Sequence, residues 1–175
     1  VSAPEEIAPG WVLRVEDSTP HHWLAVCGTV VVLVLHTGTE DDPGHVHASA
    51  RVLMRALRTR APLHQFLVVF PPTLGKPPSE RVRRALVEAN GAARALDRCA
   101  AVILGQGFLP SIHRGAITGV LTVLRSSIDA KVVSTLRDGV AHVVSDPVAI
   151  SALTRVCEER VTAFVTVSRE RTIGA

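Results

Sequence analysis

Tyrosine is absent from this 175-residue chain, and all aromatic residues together make up only 3% of it. Proteins that bind single-stranded nucleic acid stack bases on aromatic side chains inside a basic groove, and that composition is missing here. Lysine is scarce as well: Lys76 and Lys131 are the only two, so the net charge of +3 rests mostly on arginine. Arg81, Arg83, Arg84, Arg94 and Arg98 fall along one predicted helix, where a solvated face accounts for them without a phosphate partner. No nucleic-acid partner is expected. Nor is a membrane span, because no apolar run reaches the ~18 residues that a spanning helix needs. The three cysteines, Cys27, Cys99 and Cys157, are far apart and set among Val, Ala and Leu, without a C-x-x-C pair for zinc or redox chemistry. Buried free thiols of this kind suit a reducing, cytoplasmic setting. Residues 1–10 are acidic and contain proline, lack the pattern of a signal peptide, and are expected to form a flexible lead-in.

What the chain does have is apolar substance: 47% hydrophobic against 20% charged residues. That is enough for one domain of ordinary size to bury a core without disulfides, and it excludes intrinsic disorder for most of the chain. Trp11 to Val15 reads as a short first strand, followed by a turn at Asp17-Ser18-Thr19-Pro20. His22 to Cys27 and Val30 to His36 are β-branched-rich runs separated by Gly28-Thr29, the signature of a two-residue hairpin with a type II′ turn. The second run is apolar on both faces and belongs inside a sheet covered on both sides. A helix over about 43–60 follows, then a strand over 63–70 ending in Pro71-Pro72, and a helix opened by Ser79 as N-cap. Ala100 to Leu104 is the next strand, Ser111 the expected cap of a helix to about Leu124, and Lys131 to Thr135 the last strand. A short helix over about 137–144 and a final helix from Pro147 complete the chain. The fold class expected is α/β: one domain over 11–146, a mixed and mostly parallel sheet begun by a β-hairpin and flanked by helices. An extra C-terminal helix over 147–175 is packed on the domain or on a partner.

This order of elements, with the segments FLVVFPP, CAAVILGQGFLPSIHRGAITGVL and DAKVVSTLRDGVAHVV, resembles the STAS domain of anti-sigma-factor antagonists over roughly residues 22–145. The resemblance implies a noncatalytic regulatory module of bacterial-type signalling, acting through protein–protein interaction. It also implies a phosphorylatable hydroxyl at the start of the helix after the third strand. Ser79 is the closest counterpart and Thr73 the other hydroxyl of that loop, although the family's Asp-Ser-Gly motif is absent. A phosphate there would sit at a helix N-terminus; the plainer reading is that Ser79 is only a helix cap.

Two further groupings bear on chemistry. His36, Asp41, Asp42, His45 and His47 lie close in sequence and could ligate a divalent metal. His45 and His47, however, are two apart rather than the four apart of helical zinc ligands, and acidic residues before a helix are ordinary dipole partners. Parallel strands also bring their C-terminal ends to one edge, where open α/β sheets hold ligands. His36, Thr37, Gln106, Gly107, Ser111 and His113 are the candidate pocket there, with Arg114 nearby for an anion. No nucleophile stands beside either histidine in the sequence, and no catalytic residue is assigned. Gly115 and Gly119, with Ser111 one turn earlier, form a small-residue stripe suited to close packing, chiefly on the chain's own sheet. The terminal helix, with Val148, Leu153, Val156, Val161, Phe164 and Val167, could cover the sheet or pair with a second copy. The expectation is therefore an interaction module, a homo-oligomer through that helix, with no cofactor. A small-ligand or metal site at the strand edge is the alternative.

Overall fold

Alternation along the central strands decides the architecture. The computed structural model describes residues 3–35, 65–72, 96–124 and 128–173, with positions 51, 55, 79–81 and 84. Its strands are β1 (Glu5–Ala8), β2 (Trp11–Ser18), β3 (His22–Cys27), β4 (Val30–Leu35), β5 (Gln65–Phe70), β6 (Arg98–Ile103) and β7 (Asp129–Val133). They form one seven-stranded sheet in chain order. β1 to β4 pair antiparallel in succession, and β4 to β7 run parallel. Helix α1 (Phe108–Leu124) links β6 to β7, and α2 (Leu136–Val143) and α3 (Pro147–Ile173) follow β7. The chain is a single α/β domain with a mixed sheet and a C-terminal helix.

Successive side chains of a strand point to opposite faces, so each inner strand feeds two apolar layers. Val30, Val32 and Val34, Leu67 and Val69, and Ala100 and Val102 face α2 and α3, which contribute Val140, Leu153, Cys157 and Val161. Val31 and Leu33, Val68, and Cys99, Ala101 and Ile103 face the other way, where α1 supplies Ile117 and Leu121. Both faces are thus covered, as the two-sided apolar run 30–35 requires. The β3–β4 turn contains only Gly28 and Thr29 between the paired Cys27 and Val30. Gly28 has φ +57°, and a Cβ there would lie 2.9 Å from the Trp11 ring, so glycine is demanded twice over.

The helices after β7 are anchored by side chains. Thr135 caps α2, its hydroxyl accepting from the Asp138 amide at 3.1 Å and donating to the Asp138 carboxylate at 2.7 Å. Asp146 caps α3 in the same way, accepting from the Val148 amide at 2.9 Å, while its other oxygen takes the Trp11 indole N–H at 3.2 Å. α2 lies so close to the sheet that a Cβ on Gly139 would overlap the Val102 side chain.

Four expectations need correction. Residues 5–8, expected within a flexible lead-in, form β1, because pairing with β2 lets Ile7 and Ala8 join the core. Two glutamates in four residues hide that strand from pattern reading. Arg98 opens β6 rather than lying on a helix. Ser111 does not cap α1, which already begins at Phe108. Gly115 and Gly119 face solvent instead of packing on the sheet, since Ile117, Val120 and Leu121 are the residues that α1 turns inward. Among the described residues, no helix is long and apolar enough to cross a membrane.

Candidate functional site

The parallel register of β4, β5 and β6 carries Leu35, Phe70 and Ile103 to one edge. The loops leaving that edge touch: the Leu104 amide donates to the Phe70 carbonyl at 3.1 Å. A Cβ on Gly105 would stand 3.2 Å from Pro110 and 3.3 Å from Pro72. Gly105 and Gly107 both adopt left-handed backbone, at φ +98° and +99°, with exposed Gln106 between them. This double reversal, which only glycine adopts cheaply, turns the chain from the end of β6 into α1.

Gly107 takes the cap position expected for Ser111. The Ser111 amide makes the first helical bond to the Gly107 carbonyl at 3.3 Å, and the Ser111 hydroxyl donates to the same oxygen at 2.8 Å. Pro110 fits the first turn because its missing N–H would have no partner inside the helix there. Arg114 reaches back over this turn and donates to Ser111 Oγ at 3.0 Å, to the Gly105 carbonyl at 3.3 Å and to the Ile103 carbonyl at 3.5 Å. The guanidinium expected beside an anion is therefore held by the turn itself. His113 is 2% exposed, and its Nδ1 donates to the Leu109 carbonyl at 2.9 Å. Burial and that bond set it on the inner face of α1.

Of the residues expected to converge, Gln106, Gly107 and Ser111 do share this turn, and His113 lies one turn beneath. His36, Thr37, Asp41, Asp42, His45, His47 and Thr73 lie outside the described residues. Ser79 directly precedes the helical residue Glu80, the position of an N-cap. Among the described residues no group of three or more His, Cys, Asp and Glu side chains could hold a metal ion.

Two features of the same edge escaped pattern reading. At the β2–β3 turn, buried His22 bonds through Nε2 to Asp17 Oδ2 at 3.0 Å, with Thr19 Oγ1 3.3 Å from its Nδ1. The constellation has the members of a hydroxyl–imidazole–carboxylate triad. Yet the Thr19 oxygen already accepts the His21 and His22 amides, each at 3.1 Å, so both its lone pairs are engaged and it is a turn lock rather than a nucleophile. A hydroxyl three residues before a strand-opening histidine was the available signal. The second feature is apolar. Phe108 is 79% exposed and Leu109 43% exposed at the first turn of α1. No sequence period distinguishes them from core residues.

The cysteines are free and buried. Burial pushes the Cys27 thiol up to about 11, and the Cys99 and Cys157 thiols up to about 12. Nucleophilic thiols have lowered values, so these three are core residues.

No protein-family model, no curated protein and no solved structure matches the chain.

Proposed function

We propose that the protein is a noncatalytic, STAS-like interaction module that binds a protein partner at the C-terminal edge of its sheet. The observation that carries this reading is the exposed Phe108–Leu109 pair, mounted on a turn whose carbonyls are held by Ser111 and Arg114. Aromatic side chains are the usual anchors of protein interfaces, and this one is held outward in a chain with only four phenylalanines. The bonding of Ser111 and Arg114 within their own turn disfavours the ligand-site alternative. The order of strands and helices supports a regulatory or scaffolding role of the STAS kind, and the apolar core places no demand on catalysis. Self-association through α3 is the less favoured mode, since Leu153, Val156, Cys157 and Val161 of that helix already pack on the sheet.

The test is quantitative affinity purification from the source cells with the natural chain and with Phe108→Ser and Leu109→Ser. A partner recovered by the natural chain and depleted with both variants is the expected result. Equal recovery by all three would move the interface elsewhere.

A further inference from the structure

The turn that presents Phe108 contains two glycines in left-handed backbone within three residues. Glycine has the largest conformational freedom to lose, so such a turn is loose unless something outside it fixes the carbonyls. One side chain does so. Arg114 donates to the carbonyls of Ile103 and Gly105, before and within the turn, and to Ser111 Oγ, which itself donates to the carbonyl of Gly107. The chain of bonds from guanidinium to hydroxyl to carbonyl is charge-assisted at its first step. It holds both carbonyls that flank Gln106, and so fixes the direction in which Phe108 leaves the sheet edge.

We infer that Arg114 is a positioning residue for the Phe108–Leu109 turn: it sets the pose of the apolar pair by holding the turn's carbonyls. The inference rests on the docking reading for its purpose, not for its geometry. A lysine at 114 would restore the charge but not the fork that reaches three acceptors at once.

The experiment uses the full chain labelled with 4-fluorophenylalanine at its four phenylalanines, Phe66, Phe70, Phe108 and Phe164, with the Phe108 signal assigned by Phe108→Leu. In Arg114→Met and Arg114→Lys alike, the Phe108 fluorine resonance is expected to broaden or split while the other three stay in place. Exchange of the Ser111 amide should rise about tenfold or more, the effect of losing one charge-assisted bond. A general loss of stability would move all four resonances together and would overturn the inference. So would an unchanged Phe108 signal, or full rescue by lysine. Because the readout needs no partner, these outcomes are distinct from a failure of the docking reading, which shows only in the recovery of a partner by Phe108→Ser.

Discussion

Two helices begin at the same edge of the sheet, each after a parallel strand, and they begin in opposite ways. α2 starts at a side-chain cap, Thr135, its first residue Leu136 is buried, and Gly139 brings its backbone against Val102. α1 starts at a glycine in left-handed backbone, its first residue is the most exposed large apolar side chain among the described residues, and its glycines face solvent. At the start of α2 the apolar residues serve the core and the exposed cap closes the helix. At the start of α1 the bonds are spent on geometry, and the apolar atoms are left to water. Exposed Leu or Val alone would be unremarkable on a protein surface. An exposed phenylalanine on a turn clamped by an arginine is not explained by folding, and that difference is what separates scaffold from candidate interface in this molecule.

The contrast can be broken most severely on the α2 side. Gly139→Ala should lower unfolding free energy by about 2–3 kcal/mol, because the new methyl overlaps Val102, a residue with no free end to swing away; denaturant titration reads it directly. An unchanged midpoint would show that α2 is not seated as described. Asp146→Ala removes the α3 cap and the Trp11 indole bond together, an expected loss of about 1–2 kcal/mol. Asp146→Asn, which keeps an acceptor for the Val148 amide but turns a second donor toward the indole N–H, should recover only the cap's share.

The core thiols sharpen the contrast through pH. Their values are raised in the folded state to about 11 and about 12. The unfolded chain therefore ionises them first, and stability fully present below the ordinary thiol value is lost as pH rises toward the folded values. By pH 10 each thiol should cost about 1–2 kcal/mol, so the midpoint should drop between pH 8 and pH 10, and drop less in Cys157→Ala. At the α1 start the expected effect is the smallest. Phe108→Ser should change stability by less than about 0.5 kcal/mol, and a loss of several times that would make Phe108 a core residue after all.

Much of the scaffold was legible in the sequence because it is written in local pattern. The runs 22–27 and 30–35 are β-branched and separated by a two-residue Gly-Thr turn, and they pair as written. Pro147 after Asp146 marks the start of α3 as a capping sequence should. What was not legible depends on backbone sign or on distance along the chain. The left-handed φ of Gly107 moved the start of α1 four residues earlier than Ser111 suggested. Arg114 bonds a carbonyl eleven residues away, a contact that turned an expected anion ligand into an internal clamp. β1 is legible only once β2 is in place to pair with it, and the exposure of Phe108 follows from where the turn aims the first helical residue.

The measurement that tests the central claim most directly is photo-crosslinking in the source cells. A benzoylphenylalanine would be placed at position 108, with a second at the solvent-facing position 118 of the same helix as control. A discrete adduct formed from 108 and absent from 118 is the predicted result. The same diffuse pattern from both positions, or no adduct from 108, would contradict the assignment of this turn as the docking surface.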